Sequence, residues 1–227
     1  MAALAVLWLL GCDPETDRDG SADPAVAAVP AVAAVPAVDS AGEMPAIVFL
    51  GTSLTAGYGI GDDLAYPALI QAKLDSAGLR HRVVNRGVSG QTSAGGLAQV
   101  DWVLRQPVAV LVLELGANDG LRGQSVDSMA ANLQEIIDRT RAAHPDVKII
   151  VAGMEAPPNL GPMYTARFRE VFPRLARANA AALIPFLLEG VAADPALNQP
   201  DGIHPTAEGH EIIAETVWGA VQKAVAR

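Results

Sequence analysis

Three side chains of this sequence could together perform nucleophilic chemistry: Ser53, Asp201 and His204. A serine hydroxyl is a weak nucleophile until a base removes its proton, and imidazole is the side chain whose pKa suits that task near neutral pH. Asp201 and His204 lie three residues apart in one glycine-containing loop, so the carboxylate can fix the tautomer of the imidazole without any long-range contact. The chain order Ser, Asp, His therefore predicts an acyl-transfer triad with Ser53 as the nucleophile.

Acyl transfer also needs hydrogen-bond donors for the oxyanion, and three candidates each follow a short apolar run that is typical of a buried strand. Ser53 follows residues 46–50, Gly90 follows residues 82–85, and Asn118 follows residues 108–115. The carboxyl ends of parallel strands meet at one edge of a sheet, so we expect these loops to converge. The backbone N–H groups of Ser53 and Gly90 and the side-chain amide of Asn118 are then the predicted oxyanion hole. The competing interpretation of Ser53, with its neighbours Thr52 and Thr55, is that they are ordinary turn and cap residues.

From residue 46 onward, apolar strands alternate with amphipathic helices, which predicts an α/β fold whose parallel sheet is covered on both faces. The pattern predicts strands at 46–50, 82–85, 108–115, 147–151 and 182–187, and helices at 62–77, 95–105, 125–143, 164–180 and 206–225. Asp62 or Asp63 is the expected N-cap of the first long helix. Pro173 is expected to kink or divide the fourth.

Four ordered segments of this sequence resemble the SGNH (GDSL-type) hydrolases: Gly51 to Gly59, Gly90, Gly116 to Asp119, and Asp201 to Pro205. The resemblance implies a flavodoxin-like three-layer α/β/α sandwich with a five-stranded parallel sheet. It also implies hydrolysis of esters or thioesters without a metal or other cofactor. One position departs from the family pattern, because Thr52 stands where the family usually has an Asp that supports the loop.

The proline-rich loop that follows residues 147–151 resembles the family branch that contains bacterial periplasmic thioesterases, arylesterases and lysophospholipases. The resemblance implies a small-molecule acyl substrate, namely an aryl or acyl ester or thioester, including lysophospholipid or acyl-CoA. It also implies a substrate-contacting loop beside the acyl pocket, formed by Met154, Pro157, Pro158, Asn159 and Tyr164. The alternative is a plain proline-rich connection.

Other functions stay open at this level. The replacement at Thr52 motivates a tethered, non-catalytic flavodoxin-like binding protein as one alternative, and carbohydrate O-deacetylation is another. A metal site is disfavoured, because the two histidines and two acids of the C-terminal segment do not follow the His-Glu-x-x-His spacing; they are His204, Glu208, His210 and Glu211. Binding of nucleic acid is disfavoured by the formal net charge of −9.

The N-terminal part of the chain differs in composition from the rest and predicts three segments. Residues 1–12 are almost wholly apolar, too short to span a bilayer as a helix and typical of a secretory signal segment. They end in Leu9-Leu10-Gly11-Cys12, which resembles a bacterial lipobox, so we expect a periplasmic protein or a lipoprotein of the bacterial envelope that is attached to the membrane through lipidated Cys12; the alternative is a simple apolar stub. Met1-Ala2-Ala3 carries no Lys or Arg, so either the charged n-region is missing or the natural start lies upstream. Residues 13–45 are rich in Ala, Val and Pro and predict an extended linker. Residues 46–227 are the predicted hydrolase domain.

Overall fold

The computed structural model describes residues 44–226. The predicted signal segment 1–12, the lipidation at Cys12 and all but the last two residues of the linker 13–45 lie outside the described residues. Within the described part, no helix combines the length and the apolar character that crossing a bilayer requires.

The described residues contain a five-stranded, fully parallel sheet in the order β2-β1-β3-β4-β5. Its strands are β1 (Ala46–Gly51), β2 (Arg82–Gly87), β3 (Val108–Glu114), β4 (Lys148–Ala152) and β5 (Ala182–Ile184). β1 is buried along its whole length and β3 almost so, as their continuous apolar sequences indicate. The chain moves from β1 outward to β2 and then returns to the other side of β1. The strand order thus reverses between β1 and β3, which is where open α/β sheets bind ligands.

Seven helices connect and cover the strands in this part of the chain. They are α1 (Ser53–Ala56), α2 (Tyr66–Ser76), α3 (Ser93–Val103), α4 (Ala117–Leu121), α5 (Val126–Ala143), α6 (Pro162–Ala178) and α7 (Ala207–Val225). α2 packs against α7, whereas α3 packs against α5, and α5 against α6. The helices thus cover both sides of the sheet, so that the predicted three-layer α/β/α architecture is confirmed.

Two local expectations, an aspartate N-cap for α2 and a division of α6 at Pro173, were wrong. α2 begins at Tyr66 rather than at Asp62 or Asp63; its N-cap is Ala65 without a side-chain hydrogen bond, and a proline occupies its first turn, where a missing N–H costs nothing. α6 continues through Pro173 instead of dividing there. Phe172 and Leu175 are buried on either side of this proline, so the packing of the apolar face outweighs the lost backbone hydrogen bond.

The carboxyl ends of the three strands nearest the reversal lie level with one another. Gly51 is in register with both Gly87 of β2 and Glu114 of β3. α1 crosses this edge so closely that a Cβ atom on Gly87 would overlap the backbone of Ala56. The register therefore brings the loops that follow β1, β2 and β3 to one place.

Candidate active site

Ser53, His204 and Asp201 form a continuous hydrogen-bonded chain. The Oγ of Ser53 lies 3.0 Å from the Nε2 of His204, and the Nδ1 of His204 lies 2.7 Å from the Oδ2 of Asp201. With the proton on Nδ1, the carboxylate accepts it and Nε2 is free to accept the serine proton. This is the arrangement by which an imidazole can act as a general base toward a hydroxyl.

Asp201 is held as an acceptor by its own loop. Its Oδ1 accepts hydrogen bonds from the backbone N–H groups of Ile203 and His204, each at 3.0 Å. The hydrogen bond from the His204 side chain, followed by these two backbone bonds, lowers the pKa of Asp201 to about 2. Asp201 is therefore ionised at any pH at which a neutral imidazole can act as a base.

The loop that carries His204 does not follow a strand directly and is positioned by two amide side chains. Asn198 donates to the carbonyls of Val191 and Asp194. Gln199 donates through its side chain to the carbonyls of Tyr58 and Pro205, and its backbone N–H donates to the carbonyl of His204 at 2.7 Å. Gln199 thereby ties the histidine loop to the loop that follows Ser53.

The ring of Tyr58 packs against the ring of His204, with 4.5 Å between the ring centroids. Tyr58 is itself half exposed and its ring contacts the imidazole, so Tyr58 covers one side of the imidazole from solvent. Together with the bond from Gln199 to its carbonyl, this contact gives the imidazole a fixed neighbour on the nucleophile side of the site.

Ser53 is the first residue of the short helix α1. Thr52 is the N-cap, and its side chain accepts the N–H of Leu54; Gly57 ends the helix in the left-handed conformation, with φ of 73°. This single turn places the Ser53 hydroxyl at the sheet edge. It also leaves the Ser53 N–H, as an N-terminal helical donor, without an intrahelical acceptor.

The three predicted oxyanion donors line the same cavity. Within residues 44–226, neither the N–H of Ser53 nor that of Gly90 donates to an acceptor. Gly90 has φ of 77°, and its carbonyl accepts from Arg122, which holds this turn in place. The Nδ2 of Asn118 donates to the carbonyl of Gln91 at 3.0 Å, so one amide hydrogen fixes the side chain and the other remains for a ligand.

Asp119, the residue after Asn118, links α4 to the start of α3 through hydrogen bonds. It is buried, and its carboxylate accepts the backbone N–H of Ser93 at 2.8 Å and the Ser93 hydroxyl at 2.6 Å. The same hydroxyl accepts from the side chain of Asn132. The start of α3 is thus bound to α4 and α5, which fixes the loop that contains Gly90 relative to Asn118.

The cavity beside Ser53 has a volume of about 600 Å³ and is mostly apolar. Its apolar surface comes from the loops after β3, β4 and β5, with Leu121, Met154, Ala156, Pro157, Pro158 and Leu188 among the residues that line it. A cavity of this size and lining suits an aliphatic or aromatic group.

The proline-rich loop contributes to this cavity with only part of the predicted set. Met154, Pro157 and Pro158 line the cavity, whereas Asn159 and Tyr164 do not. Residues Pro158–Leu160 form a single 3₁₀ turn, and the Tyr164 hydroxyl donates to the carbonyl of Gln124. These contacts direct both side chains to other parts of the surface.

The C-terminal histidines serve different neighbours. His204 contacts Ser53, whereas the buried His210 accepts the backbone N–H of Tyr66 through its Nδ1. Burial lowers the pKa of His210 to about 4, so this ring is neutral and acts as a structural acceptor. Among residues 44–226, no group of three or more His, Cys, Asp or Glu side chains is arranged to hold a metal ion.

Sequence reasoning missed two residues that organise the site, Gln199 and Glu114. Glu114 is wholly buried at the end of β3, and it accepts hydrogen bonds from the two residues that flank the serine turn. An acid inside an otherwise apolar strand was a signal that could have singled it out. Gln199 has no comparable signal, because a glutamine in a polar loop is ordinary.

Comparison with known proteins gives a family match over most of the described chain. The sequence model of the GDSL-like lipase/acylhydrolase family matches residues 49–212. Among curated proteins, the esterase TesA of Pseudomonas aeruginosa is 38% identical over 173 residues, which cover 76% of this chain and 85% of that protein. Thioesterase 1/protease 1/lysophospholipase L1 of Escherichia coli is 38% identical over 178 residues, which cover 78% of this chain and 82% of that protein.

Solved structures give the same result. The crystal structure of TesA is 37% identical and superposes with a TM-score of 0.75, covering 79% of this chain and 99% of that one. The crystal structure of AlinE4, an SGNH-hydrolase family esterase, is 41% identical with a TM-score of 0.67, covering 81% of this chain and 98% of that one.

Proposed function

The chain belongs to the GDSL-like lipase/acylhydrolase family, and on this premise we propose that it is a serine esterase acting on carboxylic esters or thioesters. Ser53 is the proposed nucleophile, His204 the general base and Asp201 the carboxylate that orients the base. The observation that carries these roles is the hydrogen-bonded chain from the Ser53 Oγ through both ring nitrogens of His204 to Asp201, at 3.0 and 2.7 Å.

The reaction proceeds in two halves. The Ser53 Oγ attacks the carbonyl carbon of the substrate while the Nε2 of His204 accepts the hydroxyl proton; the resulting imidazolium is stabilised by Asp201. Collapse of the tetrahedral intermediate breaks the bond to the leaving alcohol or thiol, which takes the proton from His204. Water then attacks the acyl-enzyme with His204 again as base, which releases the acid and restores the Ser53 hydroxyl.

The oxyanion of each intermediate is bound by the N–H groups of Ser53 and Gly90 and by the side-chain amide of Asn118. Two features support this assignment: all three residues line the cavity, and the two backbone donors have no other acceptor within the described residues. Donors that are already in place stabilise the charge as it develops, without reorganisation.

The acyl or aryl part of the substrate occupies the apolar cavity of about 600 Å³. An apolar lining favours acyl and aryl esters or thioesters over a carbohydrate acetate. The names thioesterase and lysophospholipase, which the Escherichia coli relative carries, agree with this preference. A purely binding function does not account for a serine hydroxyl that is aligned with an imidazole and a carboxylate.

The test is pre-steady-state hydrolysis of a short-chain p-nitrophenyl ester by the full chain. We expect a burst of one equivalent of p-nitrophenol when deacylation limits turnover, and loss of both burst and turnover in Ser53→Ala. Ser89→Ala is the matched control, because Ser89 also lines the cavity but makes no hydrogen bond to His204; its burst persists. Turnover that survives in Ser53→Ala would refute the proposal.

A series of acyl esters and thioesters of increasing chain length then defines the substrate.

A location in the bacterial envelope, with a lipid anchor on Cys12, completes the proposal. It is supported by the segment Leu9-Leu10-Gly11-Cys12 after an apolar run and by the bacterial sources of the relatives. Metabolic labelling with a fatty-acid analogue in a bacterial host, compared with Cys12→Ser, tests it: label in both proteins, or in neither, would contradict lipidation at Cys12.

A further inference from the structure

The carboxylate of Glu114 lies directly beneath the turn that carries Ser53. Glu114 ends β3, in register with Gly51 at the end of β1, and it has no solvent exposure. No ion pair to this carboxylate is present within residues 44–226. A buried carboxylate without a counter-charge is retained only where hydrogen bonds offset its desolvation.

Among residues 44–226, the hydrogen bonds to Glu114 all come from Thr52 and Thr55, on either side of Ser53. The backbone N–H of Thr52 donates to Oε2 at 2.8 Å, and the Thr52 hydroxyl lies 3.0 Å from the same oxygen. The Thr55 hydroxyl donates to it at 2.8 Å and is itself 2.7 Å from the hydroxyl of Tyr66. Since Thr55 has one hydroxyl proton, the proton order is Tyr66 to Thr55 to Glu114. A carboxyl group that faces only donors is matched to them in its ionised form.

These bonds hold the serine turn on both sides. Thr52 precedes Ser53, and Thr55 follows it by two residues; both are tied to one oxygen of one side chain on the central sheet. With a residue fixed on each side, the backbone of Ser53 is restricted, and with it the directions of its N–H and of its Cα–Cβ bond. The Oγ needs these directions to reach His204, and the N–H needs them to point into the cavity.

We propose that Glu114 is a positioning residue for the reaction: its carboxylate, acting through Thr52 and Thr55, orients the Ser53 hydroxyl toward His204 and the Ser53 N–H toward the oxyanion. The inference rests on the proposed esterase function. It assigns Glu114 no contact with the substrate.

Protonation of Glu114 would undo this arrangement. The added proton turns one oxygen into a donor that faces the donors of Thr52 and Thr55, so at least one of those bonds must be lost or reverse its direction. Burial raises the pKa of Glu114 to about 7, against the lowering effect of the same hydrogen bonds. The other titratable groups on this side are Tyr66 of α2 and His210 of α7, whose ring is stacked on that of Tyr66. Burial and the charge of Glu114 raise the pKa of Tyr66, and His210 is neutral. Neither supplies a positive charge.

The experiment compares wild type with Glu114→Gln, which keeps the shape of the side chain but brings an amide donor to a set of donors. We expect kcat to fall roughly 10- to 100-fold, as for loss of a hydrogen bond to a charged group, with KM within about twofold of wild type. The variant has no group that titrates at position 114, so we expect its kcat to fall less steeply on acidification than that of wild type.

A second pair of variants keeps the test independent of the folding of Glu114→Gln. Thr55→Val removes one donor without changing the shape of the side chain, and Thr55→Ser retains the hydroxyl. We expect the valine variant to lose kcat by roughly tenfold and the serine variant to recover most of that loss. Combined with Glu114→Gln, Thr55→Val should add little, because both changes break the same bond.

The outcomes separate the two proposals. A folded Glu114→Gln with wild-type kcat, or one with the wild-type acid slope, overturns the positioning role while the loss of activity in Ser53→Ala still supports the esterase. Equal kcat in Thr55→Val and Thr55→Ser overturns it as well. Activity that persists in Ser53→Ala refutes the esterase function itself, whatever the behaviour of Glu114.

Discussion

Replacement of Asn118 by alanine tests the oxyanion hole where the structure gives the sharpest expectation. One hydrogen of its Nδ2 is used for the carbonyl of Gln91, at 3.0 Å, so the remaining hydrogen is the one that faces the cavity. The N–H groups of Ser53 and Gly90 remain in the variant, so the hole loses one donor of three. Loss of one such donor typically costs about 3 kcal/mol of transition-state stabilisation, which is on the order of a 100-fold decrease in kcat.

The change in KM should be small. The carbonyl oxygen of the substrate carries little charge in the ground state, so a hydrogen bond to it contributes mainly when the oxyanion forms. We therefore expect KM of Asn118→Ala to stay within about threefold of wild type. Steady-state hydrolysis of a p-nitrophenyl ester over a range of concentrations measures both constants, and circular dichroism confirms that the variant is folded.

Asn159→Ala is the matched control for this experiment, because Asn159 is an amide of the neighbouring proline-rich loop that does not line the cavity. Its kinetic constants should equal those of wild type. If Asn118→Ala keeps its kcat, or loses activity only through a higher KM, Asn118 binds substrate in the ground state and the assignment to the oxyanion hole is wrong. If the Asn159 variant loses as much as the Asn118 variant, the placement of the loop is wrong.

Three further predictions follow from the same contacts. Gly87→Ala should prevent folding, because its Cβ atom would overlap the backbone of α1. Gly90→Ala should fold, and thermal unfolding should show a decrease of about 1 kcal/mol in stability, because Gly90 has a positive φ. His210 is neutral in the fold, with a pKa of about 4 that lies below its unfolded value. Its contribution to the free energy of unfolding is therefore complete above about pH 6.5 and is lost as the pH falls toward 4. His210→Asn should flatten this part of the plot of Tm against pH. Thr52→Asp should place a second carboxylate about 3 Å from that of Glu114 and raise the pKa of the pair. The decrease of kcat on acidification should then begin at a higher pH than in wild type. An unchanged pH profile of kcat would mean that the two carboxylates do not interact.

The convergence of the loops that form the candidate site could be predicted from the sequence, because it depends only on the order and direction of the strands. The apolar runs identify β1, β2 and β3, and parallel strands must open their loops at one edge. Ser53, Gly90 and Asn118 each follow one of these strands, so their approach needed no knowledge of side-chain packing. The contact between Asp201 and His204 was local, since only two residues separate them, and the structure places the Oδ2 of Asp201 2.7 Å from the Nδ1 of His204.

Other features depended on tertiary contacts that no pattern in the sequence specifies. The start of α2 at Tyr66 is bound to His210, 144 residues away, through the bond from the Tyr66 N–H to Nδ1, and two aspartates upstream were the more obvious caps. The continuity of α6 through Pro173 is decided by the burial of Phe172 against Phe168 and the core. In both cases long-range packing overrides a local preference.

Thr52, the position at which the sequence departs from the family pattern, is explained by its contacts. Its hydroxyl caps α1 at the N–H of Leu54 and also lies within hydrogen-bond distance of Glu114, so it is both a helix cap and an anchor. Gly51 belongs to the same unit, because a Cβ atom there would overlap the Thr55 hydroxyl and crowd the Glu114 carboxylate. The glycine leaves room for the carboxylate, the carboxylate holds the threonines, and the threonines orient the serine between them. On the positioning role proposed for Glu114, the short motif at the end of β1 acts together with the acid at the end of β3, and we expect a substitution at either strand end to lower kcat.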